Sequence, residues 1–138
     1  MTVHLIKLCV GVDSIEDLKQ RQDARLKREG KLRHVTRMTP RRRAEVLDDG
    51  SIYWVIKGFV QTRQTISGLE PVIGQDGIRR CAVMLDPELI ATRPQPRRAF
   101  QGWRYLRTED APYDLPVGAD LDGIPPGLRA ELLELGLI

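Results

Sequence analysis

A chain of 138 residues, 41% of them hydrophobic, has the length of one domain and buries roughly two-thirds of its unfolded surface. Its net charge of +3 is unevenly spread: from Thr108 onward seven carboxylates face Arg129 alone, a net of −6, while the rest sets 21 bases against 12 acids, a net of +9. A basic body with an acidic tail points to an anionic partner or to a tail folded back on the body, and no apolar run is long enough to span a bilayer.

Val3 to Val10 reads as a first strand, apolar enough to lie centrally in a sheet. The apolar run from Leu8 to Val12 is too short for a signal peptide, so the expected setting is cytoplasmic. Asp13 or Ser14 caps a helix that runs to Glu29 and stops at Gly30, with a narrow apolar stripe of Ile15, Leu18 and Leu26. Lys31 to Met38 is basic and partly alternating, a strand or an extended crossing. Thr39-Pro40 marks the start of a short second helix ending at Gly50, with Ala44 and Leu47 facing inward. Arg41, Arg42 and Arg43 sit in its first turn, where positive charge opposes the helix dipole.

Ser51 to Lys57, built on Ile52, Tyr53, Trp54, Val55 and Ile56, is the strongest strand signal. Gly58 turns the chain into a second strand over Phe59 to Ile66. Gly74 to Gly77 is a turn, Ile78 to Leu85 a return strand closed by Asp86-Pro87, Leu89 to Thr92 a short strand, and Gly102 to Arg107 the last one. Pro125-Pro126 begins a helix carrying Leu128, Leu132, Leu133 and Leu135, ended by Gly136. The expected class is α+β: a small curled, mostly antiparallel sheet or pseudo-barrel with two to three flanking helices. One domain is expected over 1–138, with 108–138 an acidic C-terminal extension that carries the short helix.

The motifs exclude more chemistry than they suggest. His4 and His34 stand apart from each other and from any ligand-spaced cysteine pair, so no metal site or cofactor is expected. His4 belongs to a core or strand edge, whereas His34, in the basic stretch, suits an anion site. Cys9 and Cys81 lie in apolar runs and read as buried, reduced thiols. Asp86 and Glu88 flank a proline in an ordinary turn, and no nucleophile elbow or phosphate-binding glycine loop appears.

Tyr-Trp-Val-Ile-Lys-Gly at 53–58, Arg-Gln at 63–64, Leu-Asp-Pro-Glu-Leu at 85–89 and Phe-Gln-Gly-Trp-Arg-Tyr-Leu at 100–106 carry a resemblance. From His4 to Pro112 the chain resembles the alphaproteobacterial proteins grouped as domain of unknown function 1489, a likeness that implies no activity. In layout alone it is similar to PUA-like domains, small pseudo-barrels that often bind RNA or modified bases.

Binding is the expectation the residues themselves favour. Lys31, Arg33, Arg37, Arg41, Arg42 and Arg43 crowd thirteen residues without an acid, Lys57, Arg63, Arg79 and Arg80 decorate the central strands, and Arg93, Arg97, Arg98, Arg104 and Arg107 flank the aromatic motif. Arginine forks suit phosphates and base edges, and rings set among them suit stacking. The candidate nucleic-acid- or anion-binding residues are Arg37, Arg41, Arg42, Lys57, Arg63, Arg97, Arg98, Trp103, Arg104 and Tyr105, with RNA or another single strand as the partner and no membrane. One alternative is a protein-interaction adaptor using the leucine-rich C-terminal helix. The other is a small enzyme or nucleotide pocket in which Arg63, Trp103 and Asp86 or Glu88 converge.

Overall fold

A computed structural model describes residues 1–115 of the chain. The elements are β1 (Val3–Leu8), α1 (Ile15–Glu29), β2 (Arg33–Thr36), α2 (Arg43–Val46), β3 (Ser51–Ile56), β4 (Phe59–Ile73), β5 (Arg79–Leu85), β6 (Ile90–Pro96) and β7 (Trp103–Arg107), followed by a 3₁₀ turn over Thr108–Asp110. The fold is α+β. The strands form one sheet in the order β2-β5-β4-β3-β1-β7, with β6 paired to β4 off that path. All pairings are antiparallel except β1 with β3, where Leu5 faces Ile52 and Leu8 faces Val55. The sheet curls without closing into a barrel, so the pseudo-barrel expectation gives way to an open sheet. The helix expected from Pro125 lies outside the described residues. Among the described residues, no helix is long and apolar enough to cross a membrane.

Local chemistry sets the elements. The Ser14 hydroxyl accepts the Asp17 amide at 3.0 Å to cap α1, and Gly30, left-handed at φ 74°, returns its N–H to the Leu26 carbonyl at 2.7 Å. Lys57 and Gly58 both take positive φ, 52° and 83°, and form the two-residue hairpin loop between β3 and β4. No side chain fits at Gly50: a Cβ there would overlap the Val46 carbonyl oxygen and lie 2.7 Å from that of Val3.

Three elements differ from the sequence reading. β4 runs on to Ile73 instead of stopping at Ile66, through a register shift between Ile66 and Gly68. Pro71 is tolerated there because β3 ends opposite Thr65, leaving this half of β4 paired to β5 alone. β6 likewise extends to Pro96. The second helix shrinks to Arg43–Val46, with Val46 buried and Ala44 exposed. Arg42 rather than Thr39 precedes it, and the amides of Arg41 and Arg42 are satisfied by the Tyr105 hydroxyl at 2.8 and 3.1 Å.

Both faces of the sheet are apolar. Val3, Leu5, Ile52, Trp54, Ile56 and Ile66 pack beneath α1, whereas Ile6, Tyr53, Val55, Val60 and Leu106 form a second cluster on the opposite face. A polar knot ties α1 to the sheet: Gln22 and Gln64 exchange two amide bonds of 2.8 and 2.7 Å, and the Trp54 indole N–H donates to Gln64 Oε1 at 2.8 Å.

Candidate nucleic-acid interface

The aromatic motif divides across the last strand. Trp103 and Tyr105 turn together toward the α1 side, their rings 4.9 Å apart and edge to face. The Trp103 indole N–H donates to the Met38 carbonyl at 2.8 Å, and the Tyr105 hydroxyl receives the Arg41 and Arg42 amides. Those backbone groups follow directly after β2, the opposite edge of the sheet. The two rings therefore clasp edge to edge by side-chain bonds what strand pairing leaves open.

Arg104 stands on the other face, its guanidinium 5.3 Å from the centre of the half-buried Phe100 ring. Arg97 and Arg98 join it around a depression of about 470 Å³ that Ile6, Phe100, Tyr105 and Leu106 also line. A neighbouring depression of about 480 Å³ shares Ala99 and Phe100 and is bounded by Lys7, Leu8 and Val10. No carboxylate among the described residues lines either one. Arg97 is oriented by Gln95, whose Oε1 accepts from Nε at 3.1 Å and from Nη2 at 2.7 Å, and its amide bonds the Gly58 carbonyl.

Three of the other candidate cations, Arg42, Lys57 and Arg63, are occupied. Arg63 makes two bonds of 2.8 Å to Asp114 and one of 2.9 Å to the Ser51 hydroxyl, which holds the Asp114 carboxyl below the usual carboxylate range. Asp114 belongs to the acidic extension, whose start is laid beside β6 by a bridge to Thr92 and by the Arg93 amide donating to the Tyr113 carbonyl. The tail thus folds back at least as far as this ion pair. Lys57 pairs with Asp13 at 2.9 Å, and Arg42 pairs with Glu45 while lying 5.4 Å over the Tyr105 ring. Arg37 and Arg41 are exposed and have no carboxylate partner among the described residues. Of the ten candidates, the structure brings Arg97, Arg98 and Arg104 together, with Tyr105 touching the same hollow.

The convergent pocket of Arg63, Trp103 and Asp86 or Glu88 does not assemble, because Arg63 is held by Asp114, Trp103 by Met38, and Asp86 accepts the Glu88 amide in its own turn at 2.9 Å. Among the described residues no three His, Cys, Asp or Glu groups gather as metal ligands. His4 is buried, takes the Ser51 amide on Nδ1 at 3.0 Å, and is held below its usual pKa by burial and then by Arg63.

A family model described as "Protein of unknown function (DUF1489)" matches residues 5–138. The chain belongs to this family. No curated protein and no solved structure matches it.

Sequence reasoning suited His34 to an anion site but did not gather the residues that surround it in this DUF1489 protein. A cavity of about 310 Å³ lies between α1 and the sheet, and its lining joins Lys7, Cys9, Arg21, Arg25, Arg33 and His34 from three elements and a loop. Burial raises the Cys9 thiol to about 11, so it is inert at neutral pH. Burial, then the charges of Lys7 and Arg25, pushes the His34 imidazole down to about 4. The unfolded chain takes up this proton near pH 6.5, so the folded state loses stability as the pH falls from there toward 4. A His34→Gln variant is expected to lose about 2 kcal/mol less than the parent between about pH 7 and about pH 4.5. Denaturant titrations at the two pH values measure this, and equal losses would rule the assignment out.

Proposed function

We propose that this protein binds single-stranded nucleic acid, RNA foremost, along the rim where β1 and β7 meet the Arg97–Gly102 loop. The observation that supports it is the pair of adjoining hollows around Phe100, edged by Lys7, Arg97, Arg98 and Arg104 and, among the described residues, by no acid. Phosphates are neutralised by the three arginines and the lysine, and a base stacks on the Phe100–Arg104 platform, a contact worth about 1–3 kcal/mol. Sequence readout is not required for such binding, because any base offers a flat face. The layout likeness to PUA-like domains points the same way, by analogy. A cytoplasmic setting accords with two unpaired thiols.

The test is fluorescence anisotropy with short oligoribonucleotides across a salt series. Binding is expected to weaken steeply with salt, and Arg97→Ala combined with Arg98→Ala should flatten the logarithmic salt slope by about one unit while leaving the melting temperature nearly unchanged. Absence of binding at low salt to several sequences, or an unaltered slope in the double variant, sinks the proposal.

A further inference from the structure

The cavity beneath α1 carries a second, independent argument. Lys7 at the end of β1, Arg21 and Arg25 one turn apart on α1, and Arg33 at the start of β2 all line it, and no carboxylate among the described residues does. Arg21 is held by Asp17 at 3.1 Å; Lys7, Arg25 and Arg33 have no carboxylate partner among the described residues. Like charges gathered around one hollow repel, so the arrangement does not help the fold. His34 adds a second oddity: its Nε2 is buried without a hydrogen-bond partner, while its ring stands edge-on to Trp54 at 5.5 Å. Buried polar atoms are nearly always satisfied, and an orphan at a cavity wall is where a ligand or water belongs.

Most of the remaining lining is apolar, with Val12, Leu18, Leu32, Trp54 and Leu85 buried, Leu8 and Val10 at the mouth, and the Gln22 amide engaged with Gln64. A bare inorganic anion would leave that wall unused. The volume, about 310 Å³, sits at the lower end of the range for small-ligand pockets, about 300–1,000 Å³.

We propose that this cavity binds a nucleoside monophosphate unit, its phosphate held by Lys7, Arg25 and Arg33 and its ring system against Leu18, Leu32 and Leu85. Guanidinium forks meet phosphate oxygens two at a time, which suits Arg25 and Arg33. The unit has two sources, a free mononucleotide or the 5′-phosphorylated end of a strand. Lys7, Leu8 and Val10 border both this cavity and the hollow beside Phe100, so a strand lying along the rim can end here. Only the strand-end source rests on the nucleic-acid reading.

Calorimetry on the full chain tests both. AMP, GMP, CMP and UMP are titrated beside inorganic phosphate, and a short oligoribonucleotide is compared with and without its 5′-phosphate. For the free source, at least one mononucleotide binds about tenfold more tightly than phosphate, and for the strand source the 5′-phosphate tightens binding about tenfold. Either preference should fall about tenfold in Arg33→Ala and in Lys7→Ala, and persist in the Arg97→Ala, Arg98→Ala variant. Arg25→Ala, at an exposed helix position, gives a further variant should Arg33→Ala unfold. Neither preference appearing, or either surviving the cavity substitutions, overturns the proposal. Oligonucleotide binding that needs Arg97 and Arg98 but ignores the 5′-phosphate would remove this pocket and leave the rim intact.

Discussion

Gln64→Leu should destabilise the protein by about 2–5 kcal/mol, a large part of the 5–15 kcal/mol that holds a domain of this size together. The substitution nearly conserves volume, so little of the loss comes from packing. It comes from what Gln64 satisfies: the Trp54 indole N–H, both ends of the Gln22 amide, and the Asp86 carbonyl that accepts from Gln64 Nε2 at 3.1 Å. Gln22 and Trp54 are 7% and 4% exposed, so water does not replace the lost partner, and each orphan costs about 1–3 kcal/mol. Adding Gln22→Leu to Gln64→Leu should recover part of the stability, because both halves of the amide pair are then apolar and only the indole and the Asp86 carbonyl have lost a partner. Urea titrations of the two single variants and the double variant measure the coupling. A cost under about 1 kcal/mol for Gln64→Leu, or strict additivity, would show that the knot does not hold α1 to the sheet.

This knot also shows where the sequence stops being readable. Trp54 on an apolar strand announces a buried indole, but simple alternation along β4 would set Val60 on the face of Gln64 and Ile66, whereas the register shift between Val60 and Thr62 leaves Val60 on the opposite one. Nothing local says that Gln64 reaches Gln22, 42 residues away on a helix. The hairpin at Lys57-Gly58, the Ser14 cap and the Gly30 stop are legible because each is decided by chemistry within a few residues. The length of β4 is not, because whether Pro71 breaks a strand depends on how many neighbours that strand has. The site follows the same rule. Trp103 and Tyr105, two residues apart on one strand, share a face, but their partners, the Met38 carbonyl and the amides of Arg41 and Arg42, come from the far edge of a curled sheet. Arg63 looked available for an anion until the extension delivered Asp114 to it, a pairing across 51 positions. The cavity under α1 draws its cations from β1, α1 and β2, and no single segment carries their pattern.

The two rings of the last strand give the second large effect, and they separate a clasp from a stacking platform. Tyr105→Phe removes only the hydroxyl that receives two amides, and Trp103→Phe removes the indole N–H that meets the Met38 carbonyl. If the rings close the sheet, each change costs about 1–2 kcal/mol, and the double variant about 3 kcal/mol or more, since opening one bond loosens the other. For a domain of this length that is a fall in melting temperature of roughly 10 °C or more. Hydrogen exchange should rise first at Arg41 and Arg42, whose amides lose their acceptor. Oligonucleotide affinity, carried by Phe100 and the arginines on the other face, should change less than about threefold at a temperature where both proteins are folded. The opposite pattern, unchanged melting with affinity reduced about tenfold or more, would move Trp103 and Tyr105 into the binding surface and leave the two sheet edges held by something else.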